Sequence, residues 1–188
     1  DGLMADPEVK YAEPNYIMHA EVLPNDPSFG TLWGLHNTGQ SGGKVDGDID
    51  APEAWDYTTG NNAIIVAVID SGGDYNHPDL AANMWKNPGE IPANGIDDDG
   101  DGYVDDVYGY DFANNDVDPM DDNSHGTHCA GTIAAVGNNG VGVTGVCWNA
   151  KIMALKFLSA SGSGSTSAAI NCIQFAINKN AKIMSNSW

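Results

Sequence analysis

The run Ala63-Ile64-Ile65-Val66-Ala67-Val68-Ile69 is apolar without alternation, with Asn61-Asn62 before it and Asp70-Ser71-Gly72-Gly73 after it. A strand with one wet face alternates apolar and polar residues. A strand that does not alternate is buried on both faces, as in the centre of a parallel sheet. Lys151 to Leu158 reads as a second such strand, and a third begins at Lys182. Between these two the pattern predicts a helix with Ser165 as N-cap, Ile170, Ile173, Phe175 and Ile177 as apolar positions, and Asn180 at its C-terminal cap. Strand, helix and strand within ~35 residues make a right-handed crossover unit, so the fold class is α/β, a parallel sheet flanked by helices. Further out, Asp50-Ala51-Pro52-Glu53 opens a short helix through Trp55 with Asp50 as N-cap. His125 to Val136, small and almost uncharged, reads as a buried helix. Residues 1 to about 25 read as one strand (Val9, Tyr11) and an extended linker (Tyr16, Ile17) broken by Pro7 and Pro14.

The 188 residues are 41% hydrophobic, enough for one ordinary domain with a core. They carry 26 Asp and Glu against 7 Lys, a net charge of −19 that makes nucleic acid and anionic membrane surfaces poor partners. Eleven of those acids lie between Asp97 and Asp122, with no Lys among them, which points to a cation site. No apolar run approaches the ~20 residues of a membrane-spanning helix. Cys129, Cys147 and Cys172 are too few and too far apart for a disulfide framework. Trp33, Trp55, Trp85 and Trp148 read as packing aromatics.

In a parallel sheet, functional side chains gather just beyond the carboxyl ends of the strands, where Asp70 stands. A carboxylate there needs a partner. His125, opening its helix in Ser124-His125-Gly126-Thr127-His128-Cys129-Ala130-Gly131, is the one on offer. The positive helix end should disfavour imidazolium and keep the ring neutral, able to take a proton. Carboxylate plus neutral histidine is the orienter and base of a Ser-His-Asp system.

Val66-Ala67-Val68-Ile69-Asp70-Ser71-Gly72, followed by His125-Gly126-Thr127-His128-Cys129-Ala130-Gly131-Thr132, resembles the subtilisin-like serine proteases from about Asn25 to Trp188. The resemblance implies Asp70 as triad aspartate, His125 as base and His128 as structural. It also implies an extended peptide substrate held between two edges, one from Leu158, Ser161, Gly162, Ser163 and Gly164, the other from Ser187 and Trp188. The family's nucleophile motif, Gly-Thr-Ser-Met-Ala, does not occur in these residues. A zinc reading of His125, His128 and Cys129 lacks the Glu and the spacing of the metalloprotease motif.

Asp97, Asp99 and Asp101 fall at positions 1, 3 and 5 of an EF-hand-like loop, with Gly102 at 6 and Asp105 at 9. Tyr103 joins the ligand set, and Asp106 substitutes for the missing bidentate Glu. The expectation is that calcium, not a basic residue, neutralises this loop. Family resemblance implies a second calcium site at Asp79, Asn139, Val141 and Val143, against a plain reading of Asp79 as a helix N-terminal residue. The resemblance thus implies a secreted or cell-surface serine endopeptidase acting on polypeptides, with calcium as cofactor and no nucleic acid or membrane partner. Residues 1–24 would be the tail of a propeptide acting as an intramolecular inhibitor. Residues 25–188 would be the first part of the peptidase domain, its sheet incomplete at the C-terminus. The alternative is a non-catalytic calcium-binding module that keeps the fold.

Overall fold

The computed structural model describes residues 8–10 and 23–188, so the expected strand and linker around Tyr11, Tyr16 and Ile17 lie outside the described residues. The chain forms helix α1 (Ala51–Trp55), strand β1 (Ile65–Asp70), β2 (Gly109–Asp111), helix α2 (His125–Ala134), β3 (Lys151–Lys156), α3 (Thr166–Asn178) and β4 (Ile183–Ser185). All pairings are parallel, in the spatial order β2-β3-β1-β4. Asp70 at the end of β1 stands in register with Lys156 at the end of β3.

What covers each face explains the unbroken apolar run. Ala67 and Ile69 join Met153 and Leu155 in a cluster with Ala168, Ala169, Cys172, Phe175 and Ala176 of α3. Val66 and Val68 join Ile152 and Ala154 in another, with Ala130 and Ala134 of α2. Alternate residues of β1 and β3 therefore serve opposite layers, and neither set can be polar.

Three local features differ from the sequence pattern. On α3 only Phe175 of the four expected apolar positions is buried, whereas Ile170 and Ile177 are more than half exposed. The small residues Ala168, Ala169, Cys172 and Ala176 face the sheet instead, and allow a close approach. Asp50 does not cap α1, because its left-handed backbone (φ 54°) differs from the extended N-cap geometry and its side chain makes no capping bond. Strand β2 was hidden in the acidic stretch. It needs Gly109 (φ 128°), where a Cβ would fall 1.8 Å from the carbonyl oxygen of Ala154. Ser165 does cap α3, accepting from Ala168 N–H at 3.1 Å. Trp55, Trp85 and Trp148 are buried, while Trp33 is exposed. No helix among the described residues is long and apolar enough to cross a membrane.

Candidate active site

Strand β1 ends by delivering Asp70 into the interior, 1% exposed. Its Oδ1 accepts from Ser71 N–H at 2.7 Å and lies 2.7 Å from Nδ1 of His125. An ionised carboxylate can only accept, so Nδ1 carries the proton and Nε2 keeps a free lone pair. The His125 side chain is half exposed, which leaves that lone pair able to meet a substrate. The contact depends on Gly126, where a Cβ would lie 2.1 Å from the carbonyl oxygen of Gly72. Only a residue without a side chain lets α2 start this close to the end of β1.

Asp121 holds the start of α2. Its Oδ1 accepts from Asn123 N–H, Ser124 N–H and the Ser71 hydroxyl, at 2.9, 3.0 and 2.9 Å. Its Oδ2 accepts from Thr127 N–H at 2.8 Å and the Thr127 hydroxyl at 2.6 Å. The Ser71 hydroxyl in turn accepts Gly126 N–H at 2.9 Å. Burial works against charge on Asp121, but these donors outweigh it and hold its carboxyl below the usual range. Asp121 does the capping that Ser124, left-handed at φ 78°, does not.

The hydrogen bond His125 donates to Asp70, then the Asp70 charge, raise the His125 pKa above the ordinary histidine value against the opposing effect of burial, and Asp121 adds to the rise. This reverses the expected direction, in which the helix end keeps the ring neutral. The reason is that the contact with Asp70 acts on the ring more strongly than the helix end does. Cys129, one turn along, has its Sγ 3.9 Å from Nδ1 of His125. Asp70, His125 and Cys129 form one potential ligand cluster, and His128 is not part of it. His128 instead lines a cavity of about 840 Å³ between α2 and Thr31 to Leu35.

Strands β3 and β4 flank β1, so the segments that leave them straddle Asp70. The expected edge from Leu158 to Gly164 is not one straight strand. Ser159 N–H donates to Ser163 O at 2.9 Å and Gly162 N–H to Ser159 O at 2.8 Å, closing a turn that contains Ser161 and Gly162. The Ser163 carbonyl is thereby occupied, and Gly164 follows it exposed. On the other side Ser187 and Trp188 are exposed, and the Trp188 ring meets Phe157 edge-on at 4.8 Å.

In the acidic loop Asp97 accepts the N–H groups of Gly100, Asp101 and Gly102 at 2.6, 3.2 and 2.8 Å, and Gly102 takes φ 97°. Carboxylate oxygens of Asp97, Asp99 and Asp101 converge within 4.8 Å of one another, the hard-oxygen grouping that suits calcium. Asp105 turns away and accepts from Asn94 and Gly95 N–H at 3.1 and 2.9 Å. The Tyr103 ring packs on Tyr110, Phe112 and Phe175. Contrary to expectation, the loop has a basic neighbour. Lys179, just past α3, places Nζ 2.5, 2.8 and 3.1 Å from Asp99, Asp101 and Asp106. Burial pushes the fully buried Asp106 up to about 6, despite opposing contacts from Asn87 and Lys179.

Asp79 is 1% exposed and accepts from Asn139 Nδ2 at 2.9 Å and Val143 N–H at 2.8 Å, while Asn139 Oδ1 takes Val141 N–H at 2.7 Å. Its carboxylate therefore serves the 139–143 loop and makes no helix cap, and Asp79 with Asn139 offers the oxygen chemistry calcium prefers.

The sequence model of the Subtilase family matches residues 61–188. The chain is 48% identical over 124 residues to Subtilisin-like protease 1 of Plasmodium vivax, covering 65% of this chain and 20% of that protein. It is 38% identical to the Thermophilic serine proteinase of Bacillus sp. strain AK1, over 97% of this chain and 37% of the relative. To Thermitase of Thermoactinomyces vulgaris it is also 38% identical, over 87% of this chain and 47% of the relative. The chain thus spans less than half the length of each of these relatives. Among solved structures, a Pseudoalteromonas arctica protease matches with a TM-score of 0.55 at 32% identity, over 80% of this chain and 43% of that one. The Aeromonas sobria serine protease, solved with its chaperone, matches in fold with a TM-score of 0.67 at 22% identity, over 88% of this chain and 26% of that one. A parallel sheet ending in an aspartate paired to a helix-starting histidine, together with this family match, leads to one conclusion: the chain belongs to the subtilase family, the subtilisin-like serine proteases.

Proposed function

We propose that this chain carries the aspartate and the base of a serine endopeptidase. The observation that carries the reading is the 2.7 Å contact between buried Asp70 and half-exposed His125 at the end of the central strand. In this reading Nε2 of His125 takes the proton of a serine hydroxyl as it attacks the peptide carbonyl, and returns it to the leaving amine. Asp70 fixes the tautomer and stabilises the imidazolium that forms. The nucleophile comes from outside these residues, because no serine here lies in the family's motif, so the 188-residue chain alone hydrolyses nothing. Substrate lies as an extended peptide between the turn at Leu158, Ser161, Gly162, Ser163 and Gly164 and the segment at Ser187 and Trp188.

Calcium is proposed at Asp97, Asp99 and Asp101, with Tyr103 supplying its carbonyl and Asp106 at the margin, and at Asp79 with Asn139, Val141 and Val143. Its contribution is structural, tying loops whose carboxylates otherwise repel. Asp105 joins only by leaving its present backbone donors. Residues 1–24 are proposed as an inhibitory propeptide tail, removed by self-cleavage between Tyr16 and Pro27 in a secreted enzyme. In support, Asn25 and Asp26 are already tied to the 138–140 loop by bonds of 2.7 Å to Gly140 N–H and 2.6 Å to Asn138 N–H. The test is peptide-ester turnover by the protease that carries this chain. His125→Ala should abolish it, and activity within tenfold of the parent would overturn the reading. Reaction of the isolated 188-residue chain with a serine-directed phosphonate would overturn the claim that the nucleophile lies elsewhere.

A further inference from the structure

Lys156 is among the largest fully buried side chains, 1% exposed, although it is a lysine at the end of an interior strand. Its Nζ donates to Ser71 O at 2.8 Å, Leu158 O at 2.9 Å and Asp122 Oδ1 at 2.5 Å. An ammonium has three N–H groups, and each has an acceptor on a different segment. Ser71 directly follows Asp70. Asp122 directly follows Asp121, which holds the start of α2 under His125. Leu158 begins the turn assigned to substrate. The Asp70 carbonyl, in addition, accepts Phe157 N–H at 2.9 Å and Leu158 N–H at 3.2 Å, so the backbone around Lys156 is fastened to the same strand end.

We propose that Lys156 is a positioning residue, whose ammonium joins the Asp70 strand end, the loop before His125 and the first cleft residue into one rigid unit and so sets the Asp70 to His125 separation. The inference rests on the proposed function of that pair. A strand and a helix from distant parts of the chain meet at Asp70 and His125, and catalytic groups tolerate only ~0.5 Å of error in such meetings. Gly126 and Ser71 set how close α2 approaches. Lys156 sets whether the loop leading into it can slide along the strand end. Nothing else among the described residues bridges Ser71, Asp122 and Leu158 through one atom.

The test compares Lys156→Met, Lys156→Arg and Asp122→Ala in the active protease that carries this chain. Methionine fills the buried space without charge but leaves the Ser71 and Leu158 carbonyls and the Asp122 carboxylate without their donor, so some loss of stability accompanies it. The expected result for Lys156→Met is a folded protein whose kcat falls roughly 10- to 100-fold, the cost of ~1 Å of misplacement, with a smaller rise in KM. The acid limb of its pH–rate profile should move to lower pH, because His125 loses part of its contact with Asp70. A merely structural lysine would lower the melting temperature and leave that limb in place. Lys156→Arg should not restore kcat, since a planar guanidinium cannot reach three acceptors arranged around a point. A folded Lys156→Met with kcat within twofold of the parent and an unmoved acid limb overturns the proposal. If Lys156→Met does not fold, Asp122→Ala decides, because Asp122 is on the surface and alanine leaves Lys156 no acceptor there: a severalfold loss of kcat with the same shift of the limb supports the proposal, and parental kinetics overturn it. His125→Ala serves as the control. Turnover that survives it defeats the proposed function itself, whereas a dead His125→Ala beside a normal Lys156→Met defeats only the role of Lys156.

Discussion

The Asp70 site and the acidic loop from Asp97 to Asp106 both concentrate carboxylates, yet they solve the problem of negative charge in opposite ways. At the first, one fully buried carboxylate meets one histidine, and the geometry is imposed by glycine contacts and by Asp121 at the helix start. At the second, several carboxylates fold around their own backbone amides and share one distant lysine. Position therefore governs the first site and charge balance the second. Damage to the first should always appear in rate, whatever it does to stability, and damage to the second in stability.

Asp70→Asn should lower kcat for a peptide substrate by ~10⁴ in the protease that carries this chain, since the amide favours the wrong tautomer. Its melting temperature with calcium present should change little, and a loss of stability without a loss of rate would erase the distinction.

Lys179→Met should do the converse. It leaves three carboxylates facing one another around buried Asp106 and should cost about 3 kcal/mol of stability in chelator, read by denaturant unfolding. Added calcium should recover part of the loss, and calorimetry should find tighter calcium binding than in the parent, because the competing ammonium is gone. Equal stability of parent and variant in chelator would mean that Lys179 is not the loop's counter-charge.

Gly126→Ala probes position alone. The added methyl meets the Gly72 carbonyl, and the strain should cost about 2 kcal/mol while turnover falls with it. An alanine variant as stable and as fast as the parent would show that α2 can shift freely. The smallest effect is that of Asp97→Asn, which should weaken calcium binding by roughly tenfold, about 1.4 kcal/mol, without touching Lys179. Asp116→Asn, outside the ligand spacing, should leave binding unchanged by the same calorimetric measurement.

The central strand, the crossover helix and the Asp70 and His125 pairing were legible in the sequence because each leaves a local mark: an apolar run, a capping serine, a carboxylate at a strand end. Strand β2 left none, being three residues long inside an acidic stretch, and it depends on the close pass of Gly109 over Ala154. Asp121 was masked by the aspartates around it. Lys156 and Lys179 were invisible as partners, since Lys156 reaches back 34 and 85 residues to Asp122 and Ser71, and Lys179 reaches back 80 to Asp99. The exposed isoleucines of α3 show the limit of apolar spacing. It finds the helix, but which side lies on the sheet is decided by how closely the backbone must approach.

If Asp70 orients His125 and favours its charged form, the pH titration of the His125 ring by NMR in the folded chain reads that coupling directly. In the parent the ring should titrate above the ordinary ~6.5 of histidine. The pair's contribution to stability is then fully present below that value and is lost as pH rises through the higher folded pKa. In Asp70→Asn the pKa should fall back toward or below ~6.5, and the downfield Nδ1 proton signal should disappear. An unchanged His125 titration in folded Asp70→Asn would mean that Asp70 does not set the state of the ring.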